Sequence, residues 1–138
     1  MPYIVKQKLK IEDLVSLPKQ PARVLVFEPS AYLGALYRHY FGLHGFEAMH
    51  SPDLDGLPQV LSVFLPGLLV FSAEQPRPEA ALRPLLRDFP GLKIVTTAYN
   101  LNHAVVSRLM SAGVLSHINR RFSRPQDLVV LARTLINH

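Results

Sequence analysis

Three polar side chains close three short apolar runs. Glu28 follows Val24-Leu25-Val26-Phe27, Ser72 ends Leu68-Leu69-Val70-Phe71, and Thr97 ends Ile94-Val95-Thr96. Short apolar runs bounded by turn residues fit strands buried on both faces, as in a parallel sheet. In open parallel sheets, sites lie beyond the carboxyl ends of the strands. Glu28, Ser72 and Thr97 are therefore expected in one crevice. A serine there invites comparison with a nucleophile. Ser72 lacks the G-x-S-x-G elbow, however, and no acid–base partner stands at a fixed spacing from it. A hydroxyl satisfying the backbone at a strand end is the simpler account.

Other familiar chemistries find no footing. The turns after the first and third runs read Glu28-Pro29-Ser30 and Ser72-Ala73-Glu74-Gln75-Pro76. Neither is a glycine-rich phosphate loop, which argues against a dinucleotide or P-loop site. His39, His44 and His50 fall on a helix face, a helix end and a strand end, without the spacing of a metal-binding pair. There is no cysteine, which excludes disulfides, thiolate nucleophiles and cysteine-based metal sites. No metal, cofactor or catalytic residue is expected.

The elements that position the crevice follow from pattern. The first strand is Val24–Phe27, and Ser30 is the expected N-cap of a helix over 31–43 with Leu33, Leu36, Tyr37 and Tyr40 on one face. Gly45 ends that helix, and 46–50 form a second strand. Pro58 opens a short helix reaching Phe64. The third strand is Leu68–Ser72. A third helix spans 78–89, where Pro84 should break or kink it. A fourth strand over 93–97 leads to a helix ending at Ala112 before Gly113. Residues 115–118 make a shorter, more polar edge strand. Ser123 and Gln126 form an expected capping box for the last helix, with Pro125 in its first turn. Five strands alternating with five helices imply right-handed crossovers and an α/β flavodoxin-like (βα)5 doubly wound sheet, order 2-1-3-4-5.

The 138 residues suit one domain, 23–138, preceded by an arm over 1–22. The arm carries many apolar residues, Tyr3, Ile4, Val5, Leu9, Ile11, Leu14, Val15 and Leu17 among them, and should dock on the domain or on a partner. Five of the chain's fifteen basic residues lie in 1–23. A basic leader can serve nucleic acid or an acidic surface, but plain solvation of charged side chains explains it as well. The apolar runs are too short to span a bilayer and no stretch has the layout of a signal peptide, so a cytoplasmic location is expected.

From about Arg23 onward the chain resembles a receiver domain of bacterial two-component response regulators. Val24-Leu25-Val26-Phe27-Glu28-Pro29 resembles the family's first strand and its acidic ending. Gly45-Phe46-Glu47-Ala48 resembles the start of the second strand. Pro66-Gly67-Leu68-Leu69-Val70-Phe71-Ser72 resembles the P-D-L-V-L-L-D strand that carries the phosphoacceptor, and Pro76 stands where that family has a proline. Thr97-Ala98 resembles the switch T-A, Ala112-Gly113-Val114 the A-G-A turn, and Ser116-His117-Ile118-Asn119-Arg120-Arg121-Phe122 the D-Y-L-x-K-P-F segment.

The departures fall on the phosphorylation site. The resemblance puts the phosphoacceptor at Ser72, a serine rather than an aspartate. It reduces the metal-binding acidic pair to Glu28-Pro29, which with Glu74 makes a poor site for a hard divalent cation. It replaces the phosphate-contacting lysine by Arg120 and the following proline by Arg121. A cis bond without proline costs about 2.5–4 kcal/mol, so the Arg120–Arg121 peptide should be trans. Thr97 is retained, and His117 takes the aromatic toggle position. The expected pocket is thus Glu28, Pro29, Ser72, Thr97 and Arg120, with Arg120 paired to Glu28 in place of a metal ion. The alternative use of Arg120 and Arg121 is to bind an anionic partner group.

These features point to a degenerate (pseudo-) receiver domain. It would not be an enzyme and would signal by protein–protein interaction without aspartyl phosphorylation. The expected partners are proteins of a signalling pathway, or a second copy, through the face of the fourth helix, fifth strand and fifth helix, where Arg108, His117, Arg121 and Arg124 lie. Nucleic acid and membrane are not the expected partners. The competing readings are a receiver-like regulator switched by a bound anion or by phosphorylation of Ser72, and a basic nucleic-acid-binding accessory protein.

Overall fold

A computed structural model of the chain describes residues 20–137. Apart from residues 20–22, the expected arm lies outside the described residues. Five strands and five helices alternate along the rest: β1 Arg23–Phe27, α1 Ala31–Leu43, β2 Glu47–Ser51, α2 Leu57–Phe64, β3 Leu68–Ser72, α3 Pro78–Asp88, β4 Lys93–Ala98, α4 His103–Ala112, β5 Ser116–Asn119 and α5 Pro125–Ile136. The strands form one sheet in the order β2-β1-β3-β4-β5, every pairing parallel. The expected fold class and strand order are both present.

β3 is the centre of the sheet, and all five of its residues are buried. Side chains alternate between its two faces. Leu69 and Phe71 join Leu25, Phe27, Ile94 and residues of α2, α3 and α4 in one core layer. Leu68 and Val70 join Val24, Val26, Val95 and residues of α1 and α5 in the other. A strand covered on both faces has no polar side to show, which is why β1 and β3 read as continuous apolar runs. Phe27 and Phe71, neighbours in register, pack with ring centroids 4.8 Å apart.

Local chemistry sets the helix ends. Ser30 caps α1 through its side chain, which accepts from the Leu33 N–H at 3.2 Å. Of the expected face of α1, Tyr37 is buried and Leu33 and Tyr40 pack against the core partly buried, while Gly34 and Phe41 complete the buried side. Gly34 is required by packing: a Cβ there would sit 2.1 Å from the His50 imidazole of β2. That ring is held by a 2.8 Å hydrogen bond to the Glu28 carbonyl. Leu65 ends α2 in the left-handed region (φ 52°) and Gly113 ends α4 at φ 126°.

Two local expectations need correction. α3 is a single helix over Pro78–Asp88 with Pro84 inside it, so the break at Pro84 is absent. The carbonyl that Pro84 leaves without its N–H partner belongs to Ala80, in the first turn, and both residues are exposed, so water can satisfy it. The cap of α5 is also shifted by one residue. Pro125 is the first helical residue, which makes Arg124, not Ser123, the N-cap. The backbone N–H of Arg124 then donates to the Asp127 carboxylate at 2.8 Å, so the acidic partner is Asp127 rather than Gln126.

Candidate functional site

Strand register and side-chain alternation place the site. Ser72 pairs with Thr97, and Thr97 with Ile118. Glu28, one residue past β1, shares the parity of Val24 and Val26, and Ser72 that of Leu68 and Val70. Thr97 shares the parity of Val95, and Arg120 that of Ile118. All four residues therefore leave the strand ends on the face covered by α1 and α5. Glu28, Ser72 and Thr97 are buried, at 4%, 1% and 1% exposure. They form the expected crevice.

Arg120 is the cation of that crevice. Its Nη1 lies 3.6 Å from Glu28 Oε1, with both side chains largely buried. The expected pairing across the pocket is present, but the gap exceeds a hydrogen bond. Glu28 Oε1, Arg120 Nη1 and Ser72 Oγ are each buried without a hydrogen-bond partner. The other Glu28 oxygen accepts from the Ser30 N–H at 2.7 Å. Glu28 is thereby bound into the start of α1, where the helix dipole favours an anion. Pro29 is exposed and turns the chain between the two.

The closer partner of Arg120 is Glu74, which its sequence pattern suggests only as an aid to metal binding. Arg120 Nη2 donates to Glu74 Oε1, and the same oxygen accepts from the Tyr99 N–H at 2.5 Å. Glu74 stands two residues beyond Ser72, and that short separation from a strand end is the one sequence signal for its role. The Arg120 N–H in turn donates to the Ala98 carbonyl at 2.8 Å. The Arg120–Arg121 peptide is trans, as expected, and no described peptide bond is cis.

These contacts do not suit a divalent cation. The buried carboxylate gives one oxygen to a backbone N–H and turns the other toward a guanidinium, where a cation would have to sit. Among the described residues, no group of three His, Cys, Asp or Glu side chains could hold a metal ion. A cavity of about 270 Å³ opens beside Arg120 between α1 and α5, lined by Leu33, Leu36, Tyr37, Ile118 and Leu128. Burial raises the Tyr37 phenol from 10.0 to about 12; Arg120 opposes that shift, and Glu28 and Glu74 add to it.

The expected interaction residues have different surroundings. Arg108 of α4 is tied to Glu79 of α3 at 2.6 Å. His117 is half-buried in β5 and turned to its register neighbour, with Nδ1 2.8 Å from Thr96 Oγ1. Burial lowers its pKa. Arg121 is exposed and lies over the Phe122 ring, 5.4 Å from its centroid. Arg124 is exposed at the start of α5. Pattern reading also misses exposed apolar side chains on these elements: Met110 of α4, and Leu115 and Phe122 on either side of β5, are 43%, 45% and 77% exposed. No described helix is long and apolar enough to cross a membrane.

No family model matches this sequence, and no curated protein does. Solved structures do match its fold. An orphan response regulator of H. pylori superposes with a TM-score of 0.78 at 15% identity, over 86% of this chain and 99% of that one. A response regulator from Thermotoga maritima gives 0.77 at 16% identity, over 86% and 99%. The BeF3-activated N-terminal receiver domain of Klebsiella pneumoniae RstA gives 0.75 at 19% identity, over 84% and 99%. The fold is that of a response-regulator receiver domain.

Proposed function

We propose that this chain is a degenerate receiver domain that signals through protein–protein contacts and is not switched by aspartyl phosphorylation. The observation that carries this reading is the content of the strand-end pocket. Ser72 stands at the end of the central strand, and a guanidinium lies 3.6 Å from Glu28, the one buried carboxylate among the described residues. A serine hydroxyl lacks the nucleophilicity of a carboxylate and has no general base here. The arginine supplies internally the positive charge that a metal ion would bring, so a single charge state is built into the fold. No reaction follows from this arrangement, and the chain is read as a non-enzyme.

The competing readings have less support. Ser72 is 1% exposed, which puts its hydroxyl out of a kinase's reach. Nucleic-acid binding would draw on the basic leader with Arg120, Arg121 and Arg124, but Arg120 is neutralised by carboxylates, as is Arg108 of the interaction face. That leaves Arg121 and Arg124 as the free charges of this face among the described residues. With Met110, Leu115 and Phe122, they suit a protein partner or a second copy better than a phosphate backbone.

The test is a heteronuclear NMR spectrum recorded with acetyl phosphate, or beryllofluoride, and magnesium. No change is expected. Shifts clustered around Ser72, Thr97 and Arg120 at sub-millimolar reagent would refute the reading. Sedimentation of Phe122→Glu and Arg121→Glu beside the native chain tests self-association through this face.

A further inference from the structure

We propose that the Glu74 carboxylate is a built-in anion, seated in an oxyanion cradle formed by the Arg120 guanidinium and the Tyr99 N–H. It joins the loops after β3, β4 and β5 without any transferred phosphate. The proposal rests on the reading that this pocket is not phosphorylated.

Glu74 is nearly half exposed, with its side chain at 45%. Such a carboxylate would ordinarily stay in water, since an exposed ion pair is worth little. Here one oxygen, Oε1, accepts from two donors at once, the Arg120 Nη2 and the Tyr99 backbone N–H. A guanidinium and a backbone N–H converging on one oxygen make an oxyanion site. The donors come from different loops, 25 and 46 residues from Glu74 in sequence. A third link, from the Arg120 N–H to the Ala98 carbonyl, brings the two loops that carry the donors together. The Tyr99 N–H is thus placed by backbone, and the guanidinium, which bonds Glu74, is also drawn inward by Glu28 at 3.6 Å.

Two carboxylates meet the guanidinium, Glu28 from the buried side and Glu74 from the open side. They differ in what they can exchange with solvent. Glu28 is sealed in and bonded to α1. Glu74 reaches the cradle from a surface loop, and its departure would uncover a guanidinium and a free N–H. A tetrahedral oxyanion of the phosphate class matches those donors, and the native chain withholds the site from it by occupying the site itself.

The experiment is a titration of the full chain and of Glu74→Ala and Glu74→Gln with inorganic phosphate, read from the Tyr99 amide and the Arg120 side-chain resonances. In the apo state, Glu74→Ala is expected to move the Tyr99 amide away from its native position. With phosphate, Glu74→Ala should show a saturable return toward it, with an apparent affinity at least about tenfold above that of the native chain. Glu74→Gln, which keeps an acceptor oxygen but no charge, should move the Tyr99 amide less than Glu74→Ala does. An unmoved Tyr99 amide in Glu74→Ala, or equal phosphate responses in native and variant chains, would overturn the proposal. Either result would leave the reading of an unphosphorylated pocket intact. A native-chain response to beryllofluoride with magnesium would sink that reading instead.

Discussion

Replacing Arg120 by methionine removes the cation that lies beside the buried Glu28 carboxylate. At 3.6 Å and an effective dielectric constant of about 20, two unit charges attract by about 4–5 kcal/mol. The net loss should be smaller, because Glu28 keeps its bond to the Ser30 N–H and water can enter the neighbouring cavity. About 3 kcal/mol is expected for Arg120→Met, at the lower end of the cost of breaking a buried pair. For a chain of this size that is a fall of roughly 10 °C in Tm. Glu28→Gln keeps an acceptor for Ser30 and leaves Arg120 its second carboxylate, so it should cost only about 1–2 kcal/mol. The decisive quantity is the coupling. Once Glu28 is neutral, losing the arginine no longer strands a charge, so the double variant should be more stable than the sum of the single effects predicts, by about 2 kcal/mol. Urea denaturation followed by circular dichroism at neutral pH measures all four corners of the cycle. Additivity to within about 0.5 kcal/mol would show that the guanidinium does not compensate Glu28, and the claim of an internal counter-charge would fail.

Other perturbations test neighbouring features. Gly34→Ala should cost about 1–3 kcal/mol by overpacking despite the better helix propensity of alanine, and should displace the His50 ring from the Glu28 carbonyl, seen in the His50 imidazole resonances. Tyr37, at about 12 when folded against 10.0 when free, favours folding fully below the free value and loses that contribution as pH rises through the folded one. Tyr37→Phe should therefore flatten the fall of stability between those two values, an effect of at most about 2 kcal/mol with some screening by solvent. His117 titrates below its ordinary value because burial disfavours its charge. Its contribution is present above the unfolded-state pKa and lost as pH falls through the folded one, so His117→Gln should weaken the acid-side loss of stability.

The central strand shows how far local pattern reaches. Leu68–Ser72 could be delimited to the residue, because a strand covered on both faces must be apolar from end to end and stops where the chain turns. Its position between the first and fourth strands followed from the alternation of elements, and the grouping of Glu28, Ser72 and Thr97 followed from that order. Helix ends were less legible. The expected α5 cap fell on Ser123 because serine is the better capping residue, but Pro125 takes the first helical position and sets the cap at Arg124. Pro84 looked disruptive in isolation, yet the carbonyl it leaves unpaired faces water.

The sequence by itself determined the parallel sheet, its order, and the side chains that its strand ends deliver to one crevice. The elements follow from strand and helix periods, which are properties of neighbouring residues, and the order from the doubly wound topology that their alternation fits. Only the tertiary structure decided how the crevice is neutralised. Arg120 meets Glu28 across the sheet and Glu74 across 46 residues of chain. His50 finds its place over Gly34 because the β1–β2 pairing sets that strand against α1. Such contacts depend on where loops and long side chains come to rest after the core has packed, and no local period encodes that.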